Sequence, residues 1–184
     1  MERTYYMKTS ALANDVVKVI NTESHDPYSV LGLHPVKSEQ AGEQHFAVRV
    51  FFPNAKSVNI IILHDGSTYK MKKLHENGFF EVIIKDKKEL FAYKIEVMDF
   101  AGKTFQTYDP YCFLPVLTDF DLHLFKEGNH HKIFEKLGAH IMTINSITGT
   151  LFAVWAPCAK RVSVIGDFNQ WDGRSHQMRC LGSS

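Results

Sequence analysis

The residues best suited to chemistry lie in one short loop near the end of the chain, Gly166-Asp167-Phe168-Asn169-Gln170-Trp171-Asp172. A tryptophan in a glycine-flanked turn offers a wide apolar ring face for stacking and an indole N–H that needs a polar partner. Asp167 and Asn169 add groups suited to binding hydroxyls. Aspartate and asparagine in such a loop ordinarily bond their own backbone, and turn formation is the expected role of both. Trp171 has a plain alternative as well, capping a sandwich or packing on a neighbouring domain, and the residues alone favour packing over stacking.

Other constellations carry less. Ten histidines include the adjacent pair His130-His131, with His123 and His140 nearby. Adjacent rings on a helix point about 100° apart, and no carboxylate-and-histidine spacing of a known site accompanies them, so no metal is expected. Asp109, Asp119, Asp121 and Asp172 could pose as a glycosidase pair, which needs two carboxyls about 5 to 9.5 Å apart. They fall in turns and a connector, where capping is the expected role. Trp155 stands between apolar neighbours in an alternating run and is expected on an inner sheet face. The chain has no GxGxxG, P-loop, GxSxG or HExxH motif and no expected cofactor. Cys112, Cys158 and Cys180 are odd in number and far apart, which argues against a disulfide framework or a zinc site and for a reducing cytoplasm.

These side chains must be carried by strands. Aromatics make up 12% of the 184 residues, including 14 Phe, a composition that suits pleated surfaces. Lys and Arg number 21 against 20 Asp and Glu, so the chain lacks the basic excess of a nucleic-acid binder. Apolar residues at 45% and charged residues at 22% exclude disorder, and no apolar run approaches the roughly 18 residues of a membrane span. The start, MERTYYMKTS, lacks the apolar stretch of a signal peptide.

Residues Ser10–Ile20 show the pattern of a short, peripheral amphipathic helix. From Gln44 the period becomes two, and strands are expected at Phe46–Phe52, Ser57–Leu63, Thr68–Leu74, Phe79–Lys85, Ala92–Met98 and Thr104–Tyr108. The turns between them include Asp65-Gly66 and Asn77-Gly78, strong hairpin signals because glycine supplies positive φ. Thr118–Leu137 reads as a helical connector, and strands return at Leu151–Ala156 and Val162–Ile165.

The chain also repeats itself. Leu31-Gly32-Leu33-His34 recurs as Leu137-Gly138-Ala139-His140, and Phe46-Ala47-Val48 as Phe152-Ala153-Val154, both at an offset of 106 residues. Pro53–Ile61 then recurs as Pro157–Ile165 at an offset of 104. A second copy starting near His130 would extend to about residue 220 at this offset, so only its first strands are expected here.

The run Leu151–Gly173, LFAVWAPCAKRVSVIGDFNQWDG, resembles the opening strands of the starch- and glycogen-associated β-sandwich module that precedes the catalytic barrel of α-glucan-active enzymes. With DPYSVLGLHP at Asp26–Pro35, QTYDPYCFLP at Gln106–Pro115 and HKIFEKLGAHIMTIN at His131–Asn145, the chain resembles the amino-terminal region of bacterial 1,4-α-glucan (glycogen) branching enzymes, which carry two such modules in tandem. The resemblance implies an all-β, immunoglobulin-like antiparallel sandwich with a short N-terminal helix and a helical connector, followed by an incomplete second sandwich. The expected divisions are 1–20, 21–115, 116–136 and 137–184. It further implies a non-catalytic role beside an absent barrel that transfers α-1,4-glucan segments to 6-hydroxyls. Contacts with α-glucan chains would fall to Trp171, with Asn169 and Asp167 beside it, and no catalytic residue carries over. A free-standing glycogen-binding or protein-interaction module is the alternative. With strands missing, this chain is expected to hold glycogen weakly or not at all. Residues beyond about 151 are expected to exchange amide hydrogens quickly unless they dock on the first module.

Overall fold

The computed structural model describes residues 9–37 and 44–182, so part of the expected 1–20 segment, residues 1–8, lies outside the described residues. Two four-stranded antiparallel sheets face each other. One contains β1 (Gly32–Lys37), β2 (Gln44–Phe51), β5 (Lys72–His75) and β6 (Phe79–Ile84) in the order β1-β2-β6-β5. The other contains β3 (Ala55–Ile62), β4 (Thr68–Lys70), β7 (Tyr93–Asp99) and β8 (Thr104–Tyr108) in the order β4-β3-β7-β8. Alternation dictates the core: Val58, Ile60 and Ile62 of β3 point inward with Ile95 and Val97 of β7, against Val48, Val50, Phe80 and Ile84 of the facing sheet. Each such side chain contributes about 1.5–3 kcal/mol of burial.

The turn after His75 shows why one glycine is obligatory. Gly78 has φ +96°, and a Cβ there would lie 2.1 Å from the carbonyl oxygen of Phe52. Its own carbonyl accepts the Phe52 N–H at 2.9 Å, so the close approach extends the β2–β6 ladder one step past the Phe51–Phe79 pair.

The N-terminal helix is less peripheral than its length suggests. α1 (Ala13–Ile20) lays Val16, Val19 and Ile20 on the outer face of the first sheet against Val30, Leu31, Phe51 and Phe79. β2 is therefore buried on both faces. Its Arg49 faces Glu81 across the ladder, with Nε donating to Oε2 at 2.8 Å and side chains only 4% and 6% exposed. Arg49 also donates to the Val30 carbonyl and the Ser10 hydroxyl, and Glu81 accepts from the Thr9 and Ser10 hydroxyls. Thr9 and Ser10 are committed to this pair and the Ala11 N–H donates to Thr9 Oγ1, which is why the helix begins at Ala13 and not Ser10.

Two differences from the expected strands have clear causes. The Thr68–Leu74 run divides at Met71, where the chain leaves the β3 sheet and enters the β6 sheet. Met71 is buried in the core between them, and its N–H donates to the Val58 carbonyl at 2.9 Å. The Val162–Ile165 run forms only one bridge, Ser163 with Gln177, flanked by Val164 N–H to His176 O and Met178 N–H to Val162 O, both 2.9 Å.

Beyond the sandwich, α2 (Asp119–Lys126) starts with a capping box. Thr118 Oγ1 accepts the Asp121 N–H, and Asp121 Oδ2 accepts the Thr118 N–H. Such a cap is worth about 1 kcal/mol. β9 (Gly138–Ile144) and β10 (Ile147–Ala153) then form a hairpin closed by Asn145 and Ser146, both with positive φ. The sequence repeat is a structural repeat. Gly32 and Gly138 have φ +97° and +109°, and the Nε2–H groups of His34 and His140 each donate at 2.9 Å to the carbonyl of Leu31 and Leu137. Gly32 pairs with Arg49, whereas Gly138 pairs with Ala153, a hairpin shorter by two residues. Phe46 thus faces Pro35 while Phe152 faces Ala139, a slip of two that keeps side chains on the same face.

Candidate functional site

The Gly166–Asp172 loop is a turn built around Asn169. Asn169 Oδ1 accepts the Gly166 N–H at 3.0 Å, and Nδ2 donates to the Val164 carbonyl at 2.9 Å and to His176 Nδ1 at 3.0 Å. Its two amide hydrogens and one acceptor are spent inside the loop, the role expected of an asparagine flanked by glycine.

Gln170 and Trp171 follow with φ of +56° and +60°, consecutive left-handed residues. For a bulky side chain this is an outlier costing roughly 1–2 kcal/mol per residue. The conformation turns Trp171 outward. Its amide donates to the Gly166 carbonyl at 2.9 Å, its indole Nε1 donates to Asp167 Oδ1 at 2.9 Å, and the residue remains 64% exposed. Asp167 thus steadies the edge of the ring and leaves the aromatic surface to solvent.

The supporting residues are ones that the sequence reading did not single out. Arg174 binds Asp172 bidentately, Nε to Oδ1 at 2.9 Å and Nη2 to Oδ2 at 2.7 Å, which holds the Asp172 carboxyl below its ordinary pKa. His176 lies under the loop with its ring edge-to-face against Phe168, centroids 5.2 Å apart. Burial lowers its pKa and favours the neutral ring that accepts from Asn169. The segment RSHQMR has no hydrophobic period to flag it.

Trp155 departs from its expected place. It is 60% exposed, because strand pairing ends at Ala153 and no described strand lies opposite it. One contact is a T-shaped approach to Phe125 of α2, centroids 5.0 Å apart. The acidic candidates have separate structural tasks. Asp121 caps α2 and its Oδ1 lies 2.9 Å from His130 Nε2, while Asp119 is exposed in the first turn of that helix. Asp109 is 2% exposed and accepts from Tyr93 Oη at 2.5 Å and the Tyr111 N–H at 2.9 Å. Burial pushes its carboxyl up to about 6, against the pull of those two donors. The described residues contain no group of three or more acidic, histidine or cysteine side chains placed to hold a metal ion, and none of their helices is long and apolar enough to cross a membrane.

Comparison with known proteins gives two family matches in chain order. Residues 12–111 match the family described as "alpha-1,4-glucan branching enzyme GlgB, N-terminal domain", and residues 136–183 match "Carbohydrate-binding module 48 (Isoamylase N-terminal domain)". The 1,4-alpha-glucan branching enzyme GlgB of Trichormus variabilis is 46% identical over 172 residues, 93% of this chain and 22% of that protein. The GlgB enzymes of Thermosynechococcus vestitus (46% identical) and Synechocystis sp. (44%) match 90% and 91% of this chain and 21% of their own length. The chain therefore spans about a fifth of the curated relatives it matches. Among solved structures, a pullulanase from Anoxybacillus sp. complexed with maltotriose aligns over 73% of this chain and 15% of its own, at 16% identity and a TM-score of 0.37, too low to bear on the argument. The match over residues 12–111, which takes in α1 and both sheets of the sandwich, shows that this chain belongs to the family of N-terminal domains of the GlgB α-1,4-glucan branching enzymes.

Proposed function

We propose that this chain is the non-catalytic N-terminal part of a cytoplasmic enzyme that moves α-1,4-glucan segments onto 6-hydroxyls to make α-1,6 branches, and that it contacts the glucan through Trp171. In this reading residues 21–115 form the first module and 116–136 a connector. Residues 137–184 begin the carbohydrate-binding module, and the two modules together position a catalytic barrel.

The observation that carries the reading is the Trp171 indole, fixed at its edge by Asp167 and exposed at 64%. A glucose ring has an apolar face of C–H groups that fits such a surface. Asp167 serves as the positioning group for the indole and Asn169 as the organiser of the loop, so neither is the main sugar contact. No catalytic step is assigned to any residue here.

Electrophoresis through gels containing glycogen tests the reading. Retardation of the 184-residue chain relative to a gel without glycogen is expected, and it should be lost on Trp171→Ala. Equal retardation of both forms would place any glucan contact elsewhere.

A further inference from the structure

The Trp171 loop is anchored to the first sandwich by a segment that follows it. Gln177 is only 7% exposed although it is polar and near the end of the chain. Its Nε2 donates to the carbonyl of Val19, in the last turn of α1, at 2.9 Å, and to the Arg174 carbonyl at 3.0 Å. Its backbone N–H donates to Tyr111 Oη at 3.1 Å, and the same hydroxyl donates back to the Gln177 carbonyl at 3.4 Å. Tyr111 is itself fixed. Asp109 accepts its backbone N–H, and its ring meets Tyr28 edge-on with centroids 5.0 Å apart. Tyr28 sits in a matching Asp-Pro-Tyr turn, where Asp26 accepts its N–H, and it receives the Arg179 guanidinium at 3.3 Å over the ring. The anchor leads directly to the loop. Ser163 and Gln177 form a bridge, Val164 N–H donates to His176 O, and the carbonyl of Val164 accepts from Asn169.

From this continuity we propose that the first sandwich sets the presentation of Trp171, with Tyr111 and Gln177 as positioning residues that lock the base of the loop. The inference rests on Trp171 as the glucan contact for its consequence, though not for its geometry. The buried side-chain amide of Gln177 reaches the Val19 carbonyl, which also accepts the Thr22 N–H, and the Gln177 backbone N–H reaches the Tyr111 hydroxyl only when the two parts are docked, so docking and loop order rise and fall together. The first module thereby takes part in glucan recognition without touching the sugar.

The test is Tyr111→Phe, which keeps the ring and its contact with Tyr28 but removes the hydroxyl shared by both Gln177 groups. In the 184-residue chain, amide exchange of Val164, Trp171 and Met178 should quicken by about three- to tenfold, in line with the loss of one or two ordinary hydrogen bonds. Amides of Ile60 and Ile95 in the sandwich core should not change. Glycogen retardation should fall in step. Gln177→Leu, which removes the Nε2 bonds from the other side, should reproduce the local effect. Unchanged exchange at Val164, Trp171 and Met178 in both variants would overturn the proposal, as would a rise that includes Ile60 and Ile95 equally. Faster loop exchange combined with glycogen retardation indifferent to Trp171→Ala would leave the latch standing and remove the glucan reading instead.

Discussion

Asp109 supplies a stability signal with a defined sign. Its carboxyl lies under Tyr93 and Tyr111, and burial moves its pKa from 3.8 to about 6. The folded state therefore binds this proton more tightly than the unfolded chain. Between about pH 4 and pH 6 the native form holds more protons, so this group's contribution to stability falls as pH rises and levels off above its folded pKa. At 1.36 kcal/mol for each tenfold change in acidity, the full difference is about 3 kcal/mol. Other groups titrate with the opposite sign: burial lowers His34 and His176, so their contributions are lost as pH falls below 6.5. Comparison with Asp109→Asn cancels them. The asparagine keeps an acceptor for the Tyr111 N–H, and the Tyr93 hydroxyl can rotate to accept from its amide. Urea denaturation of both forms from pH 4 to 8 should show the variant gaining roughly 2.5 kcal/mol relative to the parent as pH rises, most of the full difference. Parallel curves would refute the reasoning, and a gain in the opposite direction would show Asp109 stabilised as the carboxylate.

Two further perturbations follow from the same structure. Glu81→Ala should cost about 3–5 kcal/mol, because Arg49 keeps a buried charge without its partner, while Arg49→Met with Glu81→Leu should recover much of the loss; a cost below about 1 kcal/mol in guanidinium denaturation would contradict this. Burial holds the His176 pKa below the ordinary imidazole range; once acidification protonates the ring it loses its acceptor for Asn169, so the Gly166 amide should exchange faster on acidification after correction for intrinsic rates. His176→Gln, which retains an oxygen acceptor, should abolish that acceleration.

The strands were legible where alternation and turn chemistry agreed. β2, β3, β6, β7 and β8 lie within two residues of their expected bounds. β1 escaped notice because it contains Pro35, which counts against a strand; β1 lies at the sheet edge, where the missing donor is tolerated. The break at Met71 is invisible to periodicity, since an inward methionine fits an unbroken strand equally well. In the site, glycine and asparagine correctly marked a turn, and Asp167 and Asn169 proved to be its framework. Gln177 could not be read in advance, because Tyr111 and Val19 lie 66 and 158 residues away. The docking of residues beyond 151 on the first module, which the sequence left open, rests on these same distant contacts.

The central claim, that Trp171 is the glucan contact, is tested most directly by the dissociation constant of a linear maltooligosaccharide for the parent chain and Trp171→Ala. Covering one face of the indole removes on the order of 80 Å² from water, about 2 kcal/mol. Calorimetric titration should show binding weakened by about 30-fold in the variant, with the unfolding midpoint of the sandwich unchanged. Equal constants for the two proteins would contradict the account.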